Sequence, residues 1–429
     1  MEKILIYGSA GYIGLTSAIY FTKAGLKVYG IDLDIDKLNQ INLGEMPQKD
    51  LEGWLDFKPK KYLKKLKVSH TSSFLKQNIY DAIFVAVPTE KDGEPWFHPL
   101  QNVIEQIYMS KNKDTLVIIE STLTPGIADK YIEPYLKNFA IAPRRDWFCD
   151  KGKTLETLPR IVGGNTDENT KKACKIIGKV CKEIHTCNYK EAQLIKACEN
   201  GIRHIGAVFA QQLAWAYPDL DTRKILKLAG TKWNIPEYFA NILSTGGYCI
   251  PLSSRYIKYG AKNPGELGII DSTLTTDELS VRKVANIIAI KTKPKNIAIL
   301  GMSYMGQIKV HILSGALRFI SAWDDLHDVK KIDDKTIIKV NDPLYTDKEI
   351  KKISGKISFE LKDLNKFDVI IVASDHKQYK NMNKKALVRL TKDCKFILDN
   401  CAIWEDVKFK CPYIVPGRKD WLRKLRRAI

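Results

Sequence analysis

Three groups in this 429-residue sequence join a reactive side chain to an informative spacing. Cys249 lies in Gly246-Gly247-Tyr248-Cys249-Ile250-Pro251, a glycine-paired loop where a thiol can act as a nucleophile. A lone cysteine is otherwise a small hydrophobe, a description that suits the other eight better. Lys196 and Asn200 stand one helical turn apart and so share a helix face. The ammonium can stabilise an oxyanion, and the amide can donate a hydrogen bond or hold a water. A solvated polar pair is the plainer reading of the same spacing.

The third group is Gly8-Ser-Ala-Gly11-Tyr-Ile-Gly14, between the apolar strand Lys3–Tyr7 and a helical run from Ile13 to Lys23. Glycines there allow a tight turn and bring a pyrophosphate close to the N–H groups of a helix N-terminus. Asp32 closes the next strand about 20 residues on, where an acid binds ribose hydroxyls and favours NAD over NADP. The spacing fits GxxGxxG; strict GxGxxG puts Ser9 at the first glycine. The alternative is a tight βα turn with no ligand. Thr122, after the buried-strand pattern Leu116–Glu120, is placed to hold a water or the nicotinamide edge.

These groups need elements to position them. Lys3–Tyr7, Leu26–Asp32, Ala82–Val87, Leu116–Glu120 and Arg160–Gly164 read as strands. The middle ones are near-continuous in Val, Ile and Leu, as parallel strands covered on both faces are. A long helix is expected from Lys190 to about Ala216, with Leu194, Ala197, Cys198, Ile202 and Ile205 on its apolar face, and more helix to about Tyr238. Strands resume at Asn296–Leu300, Ile337–Asn341, Val369–Ala373 and Phe396–Asp399. The fold class is therefore α/β: two Rossmann-like doubly wound domains joined by a long central helix and a helical middle domain. The expected domains are 1–187, 188–292 and 293–429.

Composition narrows the function classes. The net charge is +20, but Lys and Arg are spread along the chain, and basic patches with interleaved aromatics do not recur. Nucleic-acid binding therefore finds little support. Trp96, Trp147 and Trp215 read as core or interface residues. Nine cysteines without CxxC or metal spacing, and no secretory leader, point to reduced thiols in a cytoplasmic protein without bound metal. No apolar run is long enough to span a membrane. The basic segment Arg418–Arg427 carries Trp421, Leu422 and Leu425; it reads as a packed terminal helix, with contact to anionic lipid as the rival. His204 reads as a packing or surface residue, and His376 as a nucleotide hydrogen-bonder or a helix cap.

The sequence also resembles the nucleotide-sugar dehydrogenase family, which includes UDP-glucose and UDP-N-acetylhexosamine 6-dehydrogenases. Gly11-Tyr-Ile-Gly14, Val87-Pro88-Thr89, Glu120-Ser121-Thr122 with Pro125-Gly126, Pro159-Arg160-Ile-Val-Gly-Gly164, Lys196 with Asn200, Gly246–Pro251, Asp342-Pro343 and Ser374-Asp375-His376 follow one another in the family's order. The resemblance implies oxidation of a sugar's C6 alcohol to a uronic acid with NAD, through a thiohemiacetal and thioester on Cys249. It implies a catalytic set of Cys249, Lys196, Asn200 and Thr122. The implied cofactor contacts are Gly8, Gly11, Tyr12, Ile13, Gly14, Asp32, Lys37, Pro88, Thr89 and Thr122. The implied substrate contacts are Arg144, Arg145, Lys196, Asn200, Arg203, Gly246, Gly247 and Tyr248. A UDP-sugar substrate, leaning to an N-acetylhexosamine, and a homodimer are implied as well.

Several positions depart from the family's pattern. Its Pro-Glu-Arg is Pro143-Arg144-Arg145 here, so the glutamate that would activate the thioester's water is an arginine. An arginine stabilises an oxyanion but cannot deprotonate water. Ser253 stands where the family has Asp, Tyr248 where many members have His, and Met305 where it has Lys. Asp146 or Glu156 can supply the base, or Arg144 and Arg145 can bind an anionic substrate group. Alternatively, oxidation stops at the aldehyde, the substrate is not a UDP-sugar, or the chain is a silent homologue.

Overall fold

The computed structural model describes residues 2–146, 148, 150–328 and 336–427; Trp147 lies outside them. By compactness the chain divides into two units, Met1–Glu199 with Arg255–Pro264 and Asn200–Ser254 with Gly265–Ile429. This differs from the expected three parts: the helical middle is shared out between the units instead of forming a body of its own. The long helix Tyr189–Ala216 starts in the first unit and continues in the second.

The first unit is built on eight strands: β1 (Lys3–Tyr7), β2 (Lys27–Ile31), β3 (Lys67–Ser69), β4 (Ala82–Val85), β5 (Leu116–Ile119), β6 (Phe139–Ile141), β7 (Arg160–Gly164) and β8 (Ile184–Thr186). They lie in the order β8-β7-β6-β5-β4-β1-β2-β3, parallel except for the β6–β7 pair. Alternation along β1 explains why both faces must be apolar. Ile4 and Ile6 enter one core with Leu15 and Ile19 of helix α1 (Tyr12–Lys23), while Leu5 and Tyr7 enter another with Leu100 and Ile104. The chain winds outward from β1 in one direction and from β4 in the other. The strand order therefore reverses between them, and the carboxyl ends there form the crevice where such sheets bind ligands.

The second unit repeats the scheme with β9 (Asn296–Leu300), β10 (Ile337–Asn341), β11 (Ile357–Ser358), β12 (Val369–Val372), β13 (Phe396–Asp399) and β14 (Tyr413–Ile414), all parallel, in the order β11-β10-β9-β12-β13-β14. Ile297 and Ile299 face one core, and Ala298 and Leu300 the other. Two helices cover this unit that the sequence reading did not bound, Gly268–Thr292 and Gly315–Asp328. The C-terminal helix Trp421–Arg427 buries Trp421, Leu422 and Leu425. The Trp421 ring donates to Ala214 O at 2.9 Å and packs edge-on against Trp215. Removing such a buried ring costs about 3–5 kcal/mol, so this apolar stripe belongs to the core and is not held out for lipid. Trp96 is partly exposed and stacks on His98.

Two expectations fail locally. The helix after Ala216 covers only Thr222–Ala229 and stops at Gly230; the segment to Tyr238, which contains Pro236, is not helical. The apolar face expected on the long helix is also reversed in part. Ile202 is 66% and Phe209 52% exposed, while Asn200, His204 and Gln211 are buried. Among the described residues no helix is long and apolar enough to cross a membrane.

Candidate active site

In the first unit the glycine turn follows β1. Gly8 has φ +78°, and a Cβ there would lie 2.3 Å from Ala86 O, so only glycine lets the turn close against the end of β4. A Cβ on Gly14 would lie 2.2 Å from Gly8 O, which fixes glycine at the first turn of α1. Gly8 N and Ser9 N donate to Ile31 O, and Gly11 N donates to Gly8 O. Asp32, half-buried past β2, accepts from Ala10 N at 2.8 Å through one oxygen and from Asp34 N at 3.1 Å through the other. No side chain caps α1 at Gly11. The first turn of α1 thus faces an opening where a Cβ on Gly11 would meet only Gly8 O, at 3.4 Å. This cradle fits the pyrophosphate of NAD, with the remaining lone pairs of Asp32 available to ribose hydroxyls.

Around it, Tyr12 donates to Asp50 at 2.6 Å and Ile13 offers its carbonyl to Arg144. Lys37 pairs with Asp34, whose carboxyl, despite burial, is lowered by that lysine's hydrogen bonds and charge. Pro88 is exposed. Thr89 is buried, donates to Thr122 O at 2.8 Å and accepts from the Tyr256 hydroxyl at 2.8 Å. Burial pushes that phenol well above its usual range. Thr122 itself is half-buried, and its hydroxyl has no hydrogen-bond partner among the described residues.

Arg144 does not lie open to an anion. It is 4% exposed, and its guanidinium bonds Ile13 O, Ser17 Oγ, Thr16 Oγ1 and Asp146. Glu120 approaches it at 3.7 Å and is itself bound by Arg160 at 2.9 Å and Ser17 at 2.5 Å. This buried network ties α1 to β5 and β7 behind the glycine turn. It corrects the expectation that Arg144 binds substrate, and it uses up Asp146. Glu156 pairs with Lys23 at 2.7 Å in a partly exposed bridge. Arg145 is held by Pro159 O at 2.9 Å and Glu199 at 2.7 Å. Lys196, half-buried, lies 4.0 Å from Glu199.

In the second unit Cys249 is exposed and immediately precedes the helix Ile250–Tyr259. Its loop is shaped by two left-handed glycines, Gly246 at φ +64° and Gly247 at φ +80°; a Cβ on Gly247 would lie 2.9 Å from the Tyr304 ring. Gly247 N donates to Ile312 O at 2.8 Å. Tyr248 is exposed. Ser253 donates to Cys249 O at 2.5 Å and accepts from the Asn200 amide at 3.1 Å. Arg203 donates to Asn200 Oδ1 at 3.4 Å. Asn200, Ser253 and Cys249 are thus joined in one group.

The sequence reading missed the residues behind this loop. Asp277, on the helix Gly268–Thr292, is fully buried and meets Gln211, Ser244, Thr245, Arg318 and His204. Burial pushes its carboxyl up, but His204, Arg318 and Gln211 outweigh that and hold it at about 2. The polar positions 200, 204 and 211 recur on one helix face, a signal overlooked because larger apolar residues lie on the other. His376 does begin the helix Lys377–Lys380, but its ring is buried on Asp342 at 3.2 Å and accepts from Gln307 N at 3.2 Å.

The chain is similar to Protein CapL of Staphylococcus aureus, 27% identical over 425 residues, 93% of this chain and 96% of that one. It is similar to the UDP-N-acetyl-D-mannosamine dehydrogenase of Pyrococcus horikoshii, 27% identical over 421 residues, 92% of this chain and 94% of that one. The solved structure of a UDP-D-ManNAc dehydrogenase from Pyrococcus horikoshii matches the fold with a TM-score of 0.80 at 24% identity, over 97% of this chain and 100% of that one. Residues 2–187, which contain the whole glycine turn and its acid, match the model of the UDP-glucose/GDP-mannose dehydrogenase family, NAD binding domain. Residues 2–187, in the first α/β unit, therefore carry the NAD-binding domain of that family.

Proposed function

We propose that this dehydrogenase oxidises the C6 primary alcohol of a UDP-sugar to a uronic acid in the cytoplasm, by way of Cys249. The observation that carries the reading is an exposed thiol at a helix N-terminus, on a loop built from two left-handed glycines. NAD, when bound at Gly8, Gly11, Tyr12, Ile13, Gly14, Asp32 and Lys37, beside Pro88, Thr89 and Thr122, supplies the hydride acceptor. The first oxidation leaves an aldehyde. The Cys249 sulfur adds to its carbonyl carbon, and the thiol proton ends on the new hydroxyl of a thiohemiacetal. Loss of a second hydride, for which a second NAD would be the acceptor, and of that hydroxyl's proton leaves a thioester. Water then cleaves the C–S bond, giving carboxylate and free thiol. Lys196 offers its ammonium to the developing oxyanion, and Asn200, held by Ser253 and Arg203, offers its amide. Thr122 holds a water or the ring edge. Arg145, Arg203, Gly246, Gly247 and Tyr248 serve substrate binding.

The UDP-N-acetylmannosamine dehydrogenase relative supports an N-acetylhexosamine as the sugar. In this reading residues 188–292 supply the dimer contact and the substrate loop, and 293–429 take the nucleotide. The exposed Ile202, Phe209 and Ile269 are the face a second copy covers. Phe209→Ser is expected to halve the mass measured by sedimentation; an unchanged mass removes that face from the interface.

One observation favours a second reading, in which oxidation ends at the aldehyde. Arg144 and Ser253 stand where the family has acids, and both Asp146 and Glu156 are engaged in ion pairs. NADH yield across UDP-, GDP- and dTDP-sugars decides. Two NADH per UDP-sugar is the expected result, one supports the shorter reaction, and none on any sugar overturns both.

A further inference from the structure

We propose that Asp277 is the positioning residue of the nucleophile loop, holding residues 244–249 in the geometry that presents Cys249. The inference rests on the reading of Cys249 as nucleophile.

The loop needs an external hold. Ser244 has φ +86°, and Gly246 and Gly247 are also left-handed. A serine in that region persists only where its surroundings over-determine it. Those surroundings are one carboxylate. Asp277 accepts from Ser244 Oγ at 2.9 Å, from Thr245 N at 3.2 Å and from Thr245 Oγ1 at 3.1 Å. Three donors from two consecutive loop residues thus converge on one side chain of the helix Gly268–Thr292.

The carboxylate is itself fixed from behind. Gln211 donates to it at 2.8 Å and Arg318 at 3.1 Å. The arginine supplies the countercharge that a buried carboxylate requires. Arg318 also lies 4.0 Å from Glu278, a partly exposed neighbour. A second path runs to the far end of the loop. His204 Nε2 lies 3.5 Å from Asp277 Oδ2, and its other ring nitrogen is 2.8 Å from Ser254 Oγ. Ser254 follows Ser253, whose hydroxyl donates to the Cys249 carbonyl. The loop is therefore gripped before its glycines by Thr245 and after its thiol by the helix start. His204 and Asp277 are buried and the Arg318 side chain is only 12% exposed, so their effect on chemistry must pass through the loop.

The test compares full-length wild type with Asp277→Asn, Asp277→Glu and Thr245→Val, with Val284→Ala as a destabilised control in the same helix. Val284 is buried outside this network. Hydrogen exchange of the peptide spanning 242–249 reads the loop whether or not sugar is turned over. Initial rates read kcat and KM. The expected result for Asp277→Asn is about tenfold faster exchange in that peptide and a kcat lowered about tenfold, with KM for NAD unchanged. Asp277→Glu recovers part of both, and Thr245→Val, which keeps the Asp277–Arg318 pair, shows a smaller change in the same direction. Should Asp277→Asn fail to fold, Thr245→Val carries the test. Unchanged exchange, an equal change in Val284→Ala, or faster exchange with unaltered kcat overturns the proposal. Full activity in Cys249→Ala would instead remove the nucleophile reading, leaving the exchange result to stand by itself.

Discussion

The two α/β units carry the same strand–turn–acid device and use it differently. In the first, Gly8 N donates to Ile31 O, Asp32 past β2 holds Ala10 N, and α1 begins at once with an uncapped first turn. In the second, Gly301 N donates to Asn341 O, and Asp342 past β10 takes both Met302 N and Ser303 N. There the next helix does not begin until Gly315, and Asp342 is buried under His376. A turn that runs straight into a helix with no side-chain cap is an anion site. A turn whose N–H groups are satisfied by its own acid is a structural joint. The fold alone does not make a dinucleotide site; the start of the helix relative to the turn does.

The sharpest way to break that contrast is to add one methyl to each turn. Gly8→Ala places a Cβ against the Ala86 carbonyl at positive φ. It is expected to weaken NAD binding by about 100-fold, roughly 3 kcal/mol, by calorimetry. Gly301→Ala meets Ser374 instead; it should lower Tm while leaving Kd for NAD within about twofold. Equal losses of NAD affinity in the two variants would erase the distinction.

The acids give the next largest effect. Asp342→Asn strips a buried histidine and the three amides of Met302, Ser303 and Leu344 of their charged acceptor and should cost about 3 kcal/mol of stability in denaturant melts, with NAD affinity intact. Asp32→Asn should do the reverse, costing about tenfold in NAD affinity with little change in melting. Acid sharpens the same contrast. Asp277 is held at about 2 against an ordinary 3.8, so its stabilisation is full above pH 3.8 and is lost as pH falls through 2. The second unit should lose roughly 2 kcal/mol over that window, followed by tryptophan fluorescence. The smallest effect is expected at the surface. Glu156→Gln breaks only the partly exposed pair with Lys23 and should change stability by less than about 1 kcal/mol and leave kcat unaltered. A large loss of kcat would return Glu156 to the role of base.

Much of this was legible in the sequence, for physical reasons that also set the limits. Strands covered on both faces must be apolar throughout, so β1, β4, β5, β9 and β12 announce themselves. Phe139–Ile141 is equally buried but only three residues long before Ala142-Pro143, too short for a pattern. Gly8, Gly14 and Asp32 were readable because backbone approach leaves no other choice. The long helix was readable as a helix but not by face. It buries small and polar residues that bond Ser253, Ser254 and Asp277, and leaves Ile202 and Phe209 outside. Arg144 was misread because a lost acid drew attention to the substrate, whereas the guanidinium finds its partners on α1 and at Glu120 and Asp146.

The central claim is that Cys249 carries the acyl group, and its most direct test is NADH formed per UDP-N-acetylhexosamine consumed by wild type beside Cys249→Ala, with mass analysis of the quenched wild-type peptide. Two NADH per sugar with a sugar adduct on Cys249, and a variant that stops at the aldehyde after one, is the predicted result. A variant that still yields two NADH per sugar would contradict it.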